Sequence, residues 1–436
     1  MQARIHRIFT LSETCTPAEI TLKALHWAAQ ADHFHFFTDN GLGVNYPNGG
    51  FPVMLAAGAR QIVPLRKGMV FSDLQDFHGQ NDEWLIGHLG YDLKNEIENL
   101  ASRNPGSVHF PDAFFYVPEH LVWFRENTLE IATSGDPELV FTAILATEAT
   151  PGNPPFTGKI QQRTPRDKYL QTVEKLRVHI LDGDVYEINY CMEFFAENAP
   201  INPLQTYLAL NRLSPMPFSV FGKTGNQYLL CASPERFLKK TGSRLISMPI
   251  KGTAKRGSTV LEDTILKEQL RGSEKERAEN MMIVDLVRND LARSAVPGTT
   301  RVDEMFGIYT FAALHQMIST VSARVRPGAG LAEIIRNAFP MGSMTGAPKI
   351  RAMQLIDDYE DARRGLYSGA VGYVAPGGNF DFNVVIRSIL YDAHRQHLSF
   401  SVGSAVTYDA DAGQEYEECL LKAETMRRAL QPGGQP

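Results

Sequence analysis

The chain has 436 residues, with 43 Lys and Arg against 49 Asp and Glu, and a formal net charge of −6. Apolar residues make up 43% and charged residues 21%. These values are typical of globular proteins and exclude disorder, collagen-like repeats and a coiled coil for the whole chain. The mild acidity argues against a general binder of nucleic acid or anionic membranes. No stretch approaches about 18 uninterrupted apolar residues, so no membrane span is expected.

The four cysteines, Cys15, Cys191, Cys231 and Cys419, are scattered along the chain. Because none forms a CxxC pair, their spacing favours neither a zinc ribbon nor a disulfide framework. The first residues show no apolar run of the kind that follows the charged start of a signal peptide. We therefore expect reduced thiols and a cytoplasmic protein.

A stretch rich in Pro, Gly and Thr, residues 149–165, divides the chain. Its turn chemistry predicts a loop or linker. Earlier segments such as 107–124 and 128–132 look like short strands mixed with helix. We predict an N-terminal subdomain over 1–155 and a larger domain over 160–430, with an α+β fold, although length alone favours about three domains.

A helix is predicted directly after this linker. Thr164 suits its N-cap and Pro165 its first position, and apolar residues then recur at helical spacing. Gly183 is expected to end it.

A hairpin is predicted around the turn Thr241-Gly242-Ser243, and Glu235 and Lys251 are equidistant from Ser243. An antiparallel return would therefore bring this carboxylate and this amine to the same end of the hairpin. Two interpretations stay open. One is a surface salt bridge between strands, and the other is an acid beside an amine nucleophile whose pKa is lowered by burial.

Two acidic helices form a second set. Ser273 begins a capping box and a helix that carries Glu279 near its start. In the C-terminal helix, Glu415, Glu418 and Lys422 fall at i, i+3 and i+7 on one face. The set is either a solvated helix face or an oxygen-only site for a hard ion such as Mg²⁺.

Three further features suit an anion. Arg387 falls on the less apolar side of an alternating strand and could bind a carboxylate through two hydrogen bonds. The loop GSMTGAPK leads into a helix and leaves backbone N–H groups near Ser343 and Thr345. The small residues 403–405 permit close backbone approach. Each feature alone is more typical of an ordinary turn.

His315 lies in the apolar segment FAALHQMIST. A single histidine in such a segment is usually a core residue whose ring nitrogens are bonded. From the residues alone, this interpretation is favoured over a functional one.

Taken together and in order, these segments resemble the motifs of the chorismate-utilising enzymes. The similar motifs are SPERF (233–237), PIKGT (249–253), RAENMMIVDLVRNDLAR (277–293), GSMTGAPKIRAMQLID (342–357), LYSGAVGY (366–373), VIRS (385–388) and EYEECLLKA (415–423). The resemblance implies that the domain over 160–430 binds chorismate. It also implies an α+β sandwich like that of anthranilate synthase component I, with two large antiparallel sheets flanked by helices.

The resemblance also assigns roles to single residues. It implies that Glu235 is the general acid that helps the ring hydroxyl leave and that His315 lies beside the ring. The positions that it implies for Mg²⁺ are Glu279, Glu415 and Glu418. The positions that it implies for the substrate's carboxylates are Tyr367, Arg387, Gly403, Ser404, Ala405, Ser343 and Lys422, with Thr345 in the same loop as Ser343.

Lys251 and Glu187 discriminate within the family. The chain is most similar to the aminodeoxychorismate synthase group, which has Lys in PIKGT, whereas anthranilate synthases have Ala there. The resemblance implies that the Lys251 amine attacks C2 of chorismate while the C4 hydroxyl leaves, and that ammonia then adds at C4 and expels the lysine. Isochorismate and salicylate synthases have a water-activating Lys where this chain has Glu187, which argues against water as the nucleophile.

The ammonia is expected to come from another protein. None of the four cysteines lies in a nucleophile-elbow context with a following His and Glu, so a separate glutamine amidotransferase subunit is the expected partner. Two alternatives stay open: anthranilate synthase component I, and a catalytically silent chorismate-binding subunit that regulates a partner.

Overall fold

The computed structural model describes residues 4–12, 16–148, 156–312 and 314–431. Its strands pair antiparallel throughout these residues. The strands are β1 (Ile5–Thr10), β2 (His33–Thr38), β3 (Met54–Ile62), β4 (Leu85–Leu89), β5 (Ala113–Phe124), β6 (Thr128–Thr133), β7 (Gln161–Gln162), β8 (Glu187–Ala196), β9 (Phe218–Thr224), β10 (Gln227–Ser233), β11 (Arg236–Thr241), β12 (Arg244–Met248), β13 (Ile250–Lys255), β14 (Arg301–Thr310), β15 (Leu314–Arg324), β16 (Gly346–Ala347), β17 (Ala370–Val374), β18 (Phe380–Val384), β19 (Ser388–Asp392) and β20 (His397–Val406).

The helices of the described residues flank these strands. They are α1 (Pro17–Ala28), α2 (Val70–Gln80), α3 (Lys94–Ile97), α4 (Pro137–Ala146), α5 (Arg166–Leu181), α6 (Pro203–Leu213), α7 (Val260–Gly272), α8 (Glu274–Ala292), α9 (Leu331–Ala338), α10 (Lys349–Tyr359) and α11 (Ala412–Leu430). None of them is both long and apolar enough to cross a lipid bilayer, within the residues described.

Two large sheets share one long strand. The first sheet runs β6–β5–β3–β2–β9–β10–β19–β20–β8. The second runs β5–β4–β17–β18–β11–β12–β15 and ends with β13 and β14 on β15. The start of β5 pairs with β4, through Ala113 and Leu89, and its end pairs with β3, through Trp123 and Met54. The predicted two-sheet α+β sandwich is therefore confirmed.

The core forms three layers. Residues of both sheets, such as Phe218 and Ile318, pack together between the sheets. Helices α1, α5, α6 and α11 cover the outer face of the first sheet, where Phe400 lies. Helices α2, α8 and α9 cover the second sheet, where Phe382 lies. Strand β8 is buried on both faces although it contains Glu187, Asn189 and Glu193, so its polar side chains are buried as well.

The predicted linker does not separate two sheets. Residues 149–155 lie outside the described residues, and the strands before and after them join in common sheets. Strand β2 pairs with β9 and β4 pairs with β17. The boundaries 1–155 and 160–430 stay a prediction.

Three local predictions need correction. Helix α5 begins at Arg166 with Pro165 as its N-cap, because the Thr164 hydroxyl bonds instead to Asp361, 2.9 Å away. In the β11–β12 hairpin, Arg236 lies opposite Met248, so the register differs by two residues from the one predicted. Arg387 lies outside a strand, between β18 and β19.

Candidate active site

A cavity of about 560 Å³ opens between the ends of these strands and the helices α8 and α11. Its size is that of a pocket for a small organic ligand. Of the residues predicted for the site, all except His315 and Thr345 line it: Glu235, Lys251, Glu279, Ser343, Tyr367, Arg387, Gly403, Ser404, Ala405, Glu415, Glu418 and Lys422. The tertiary structure thus brings together segments that lie far apart in sequence, while the role of each residue stays a prediction.

Glu235 lies in the short connection between β10 and β11 and is 4% exposed. The hydroxyl of Ser343 donates a hydrogen bond of 2.6 Å to its Oε1. Burial raises the pKa of Glu235 to about 7, although the Ser343 hydroxyl and the charge of Lys251 act in the opposite direction. A carboxyl group with this pKa can hold a proton near neutrality and donate it inside the cavity.

Lys251 lies on β13, and its ammonium bonds to a carboxylate that the sequence did not pair with it. Its Nζ is 2.5 Å from Oε1 of Glu187, the first residue of β8. Burial lowers the pKa of Lys251, but the negative charges of Glu187 and Glu279 raise it more, so this pKa lies above its ordinary value. The interpretation of Lys251 as an amine whose pKa is lowered by burial is therefore wrong, because the facing carboxylates outweigh the effect of burial.

The predicted metal carboxylates approach the cavity from α8 and α11. Burial raises the pKa of Glu279 to about 7 and also raises that of Glu415. Lys275 lies between them, with Nζ 3.3 Å from Glu415 Oε1 and 3.9 Å from Glu279 Oε1. Lys422 forms an ion pair of 2.6 Å with Glu418. Ammonium groups thus neutralise part of this acidic set.

Arg387 has a left-handed backbone conformation, with φ 52°, between β18 and β19. This conformation interrupts the strand and directs the side chain into the cavity, where Tyr367 also lies. The guanidinium has no hydrogen-bond or ion-pair partner among the described residues. A partly buried guanidinium without a partner is suited to bind the carboxylate of a ligand.

The backbone of β20 forms one wall of the cavity. A Cβ at Gly403 would lie 2.5 Å from Cys191 Sγ and 2.9 Å from the carbonyl oxygen of Tyr190, so only glycine fits there. Lys422 donates a hydrogen bond of 2.8 Å to the Gly403 carbonyl. The hydroxyl of Ser404 lies 2.9 Å from that of Tyr169.

Two predicted residues are directed elsewhere. His315 lies between Leu314 and Gln316, which line the cavity, and its ring lies within 3.0 Å of the Asp263 carboxylate. Because side chains alternate along a strand, β15 sends His315 to the opposite face. The hydroxyl of Thr345 donates to backbone carbonyls of its own loop.

The sequence analysis missed Lys275, whose spacing of four residues from Glu279 was the available signal. It also missed the pairing of Glu187 with Lys251. The sequence analysis used Glu187 to argue against water as the nucleophile, but no local spacing connects this residue to Lys251 on β13.

Residues 54–428 match the family model described as chorismate binding enzyme. The chain belongs to the chorismate-binding enzyme family. The match begins at β3, so this family unit includes most of the strands that precede the linker. The resemblance inferred from the motifs is confirmed.

Curated relatives and a solved structure agree with this placement. The chain is 40% identical over 366 residues to aminodeoxychorismate synthase of Streptomyces griseus, covering 79% of this chain and 50% of that protein. It is 31% identical over 439 residues to aminodeoxychorismate synthase component 1 of Bacillus subtilis, covering 92% and 93%. The chain thus spans about half the length of the first relative and nearly all of the second.

The fold of this family member is similar to that of anthranilate synthase component I from Streptococcus pneumoniae. The TM-score is 0.73 at 23% identity, and the alignment covers 98% of this chain and 93% of that one. This likeness confirms the predicted fold.

Proposed function

We propose that this chorismate-binding enzyme converts chorismate and ammonia to 4-amino-4-deoxychorismate. The observation that carries the proposal is the placement of Lys251 and Glu235 in one cavity, with the amine on β13 and the buried acid in the connection between β10 and β11. The names of the relatives in Streptomyces griseus and Bacillus subtilis support the same reaction.

Substrate binding would use polar groups that line the cavity. The guanidinium of Arg387 and the hydroxyl of Tyr367 would hold one carboxylate of the substrate. The backbone of residues 403–405 and the amine of Lys422 would lie near the other. These contacts would orient the ring between Glu235 and Lys251.

Two displacements would then replace the hydroxyl by an amine. The Lys251 nitrogen bonds to C2 while the ring double bond shifts and the C4–O bond breaks, and Glu235 gives its proton to the hydroxyl, which leaves as water. Ammonia then bonds to C4, and the C2–N bond breaks with its electron pair returning to Lys251. Glu235 recovers a proton from the new C4 ammonium.

We propose Mg²⁺ as the cofactor, held by Glu279, Glu415 and Glu418. Oε1 of Glu279 is buried without a hydrogen-bond partner among the described residues, and an all-oxygen donor set suits this ion. No three Asp, Glu, His or Cys side chains of the described part of the chain converge closely enough to hold a metal as they stand. Lys275 would therefore have to withdraw. When bound, the ion would neutralise a carboxylate of the substrate.

A separate glutaminase subunit would supply the ammonia. The relative that this chain covers almost entirely is named component 1, which supports an enzyme of more than one component. The cysteines that the structure describes, Cys191, Cys231 and Cys419, are buried and unpaired. Reduced thiols of this kind support a cytoplasmic location.

A product assay tests the proposal. The purified chain is incubated with chorismate, Mg²⁺ and an ammonium salt, and the products are identified by mass spectrometry. We expect 4-amino-4-deoxychorismate without pyruvate. Anthranilate with pyruvate would instead indicate an anthranilate synthase, and no turnover would favour a silent subunit.

The variant Lys251→Ala tests the covalent step. It removes the amine, so amination at C4 should fall by at least about 100-fold. Unchanged amination by this variant would contradict a covalent role for Lys251.

A further inference from the structure

Glu187 and Lys251 form a buried ion pair that the proposed reaction has to break. The carboxylate of Glu187 is 1% exposed and the side chain of Lys251 10% exposed, and the two charged atoms are 2.5 Å apart. An ammonium has no lone pair, so Lys251 cannot attack carbon until a proton leaves it. The structure must therefore provide a proton acceptor near its Nζ.

Five carboxylates face this ammonium. They are Glu187 on β8, Glu276 and Glu279 on α8, Glu418 on α11 and Glu235 beside β11. Among the described residues, only Glu187 lies within ion-pair distance of Lys251. Glu235 bonds to Ser343 and is required as the proton donor to the hydroxyl. Glu187 is thus the acceptor that the geometry favours.

We propose that Glu187 is a positioning residue that takes a proton from Lys251 before the amine attacks C2 and returns it after the amine is expelled. The inference rests on the proposed function and deepens it. The proton balance closes over one cycle. Glu187 becomes neutral as Lys251 becomes a free amine, and both recover their charges when the C2–N bond breaks.

The surroundings of Glu187 make this transfer feasible. Its Oε2 is buried and has no hydrogen-bond partner among the described residues. Protonation of this carboxylate would therefore break no hydrogen bond at Oε2. The short contact to Nζ also lets the proton move without rearrangement of either side chain.

The test compares Glu187→Gln with a matched control, Glu193→Gln. Glu193 is a buried glutamate on the same strand, bonded to Arg163 at 2.5 Å. We expect kcat of Glu187→Gln to fall by at least about 100-fold at pH 7.5. Below about pH 7, where Glu235 keeps its proton, the logarithm of kcat for this variant should rise with pH at unit slope, because hydroxide must remove the proton from Lys251. Glu193→Gln should keep the wild-type pH profile.

Chemical rescue provides a second readout. Glu187→Ala leaves space for a small acid, so added formate should restore turnover in a saturable manner, whereas Glu193→Ala should not respond. A wild-type rate and pH profile for Glu187→Gln would overturn the proposal. If Glu187→Ala folds and formate has no effect, the proposal is equally overturned; if it does not fold, the glutamine variant decides.

A third measurement separates this inference from the proposed function. Acetylation of Lys251 by a neutral reagent, followed by peptide mass spectrometry over a pH series, requires no turnover. Its midpoint should fall by about one pH unit or more in Glu187→Gln. An unchanged midpoint refutes the functional ion pair. A wild-type enzyme that yields anthranilate refutes the proposed function instead.

Discussion

At the scale of single residues, burial decides which groups of the cavity carry protons. Glu235 has a pKa raised to about 7 because it is buried, and the Ser343 hydroxyl lowers that pKa only in part. Lys251 has a raised pKa despite burial, because carboxylates face it. Glu235 can therefore hold a proton near pH 7, as a general acid must, and Lys251 is an ammonium in the resting protein.

This leads to a prediction for Glu235. An acid must be protonated to act, so kcat should fall about tenfold per pH unit as the pH rises above about 7. Glu235→Gln cannot donate a proton, and its kcat should fall by about 100-fold or more and lose this alkaline limb. Steady-state rates between pH 6 and 9 measure both effects. A wild-type alkaline limb in Glu235→Gln would assign the limb to another group.

A second prediction concerns the wall of the cavity. In Gly403→Ala the new methyl group would collide with Cys191 and with the Tyr190 carbonyl. The free energy of unfolding should fall by about 1–3 kcal/mol and KM for chorismate should rise. The control is Gly79→Ala in helix α2, where a Cβ has no neighbour within 4 Å. This variant should gain up to about 1 kcal/mol. Equal stability of both variants in urea titrations would contradict the close contact.

At the scale of elements, β2 and β4 place histidines in the core between the sheets. His35 and His88 are each 1% exposed, and burial lowers their pKa values to about 3 and about 4. His88 Nε2 lies 3.2 Å from the Pro111 carbonyl. Because both pKa values are depressed, the stability that these residues contribute is complete above pH 6.5. It is lost as the pH falls, since the unfolded chain then takes up protons that the folded chain excludes.

The third prediction uses this proton exclusion. Between pH 6 and 4.5, each histidine should contribute about 1.4 kcal/mol per pH unit to the fall in unfolding free energy. His88→Gln should remove one such increment from the slope, and His394→Gln, at an exposed position, should leave the slope unchanged. Urea unfolding at four pH values measures how the free energy of unfolding of each variant depends on pH. The same slope in wild type and His88→Gln would show that His88 binds a proton in the folded state.

At the scale of the whole molecule, the cavity exists because distant elements meet. Lys275 on α8 bonds to Glu415 on α11, although the two residues are 140 positions apart in the sequence. The strand β5 joins the two sheets, so the described strands form one connected network rather than the three domains that length alone favours. The proposed metal site therefore depends on the packing of the whole fold.

The fourth prediction tests that site. Lys275→Met removes the ammonium between Glu279 and Glu415, so Mg²⁺ should bind more tightly, whereas Glu418→Gln should weaken binding by about tenfold or more. Because the pKa of Glu279 is raised to about 7, binding should strengthen as the pH rises from 6 to 8. Calorimetric titration measures each affinity. Arg271→Met, on the exposed side of α7, is the charge-matched control. If Glu418→Gln bound Mg²⁺ with unaltered affinity, Glu418 would not be a ligand of the ion.

Much of this protein was determined by local sequence. The motifs established the family and the two-sheet class, and helical periodicity placed Glu415, Glu418 and Lys422 on one face of α11. Such patterns are readable because neighbouring residues in a helix or strand have fixed spacings.

Other features were decided only by tertiary structure. These are the pairing of Glu187 with Lys251, the direction of His315 away from the cavity, and the left-handed conformation of Arg387. Each depends on strands brought together from distant parts of the chain. No local spacing encodes which carboxylate a buried ammonium meets, because this is set by sheet pairing and by the requirement that buried charges find partners.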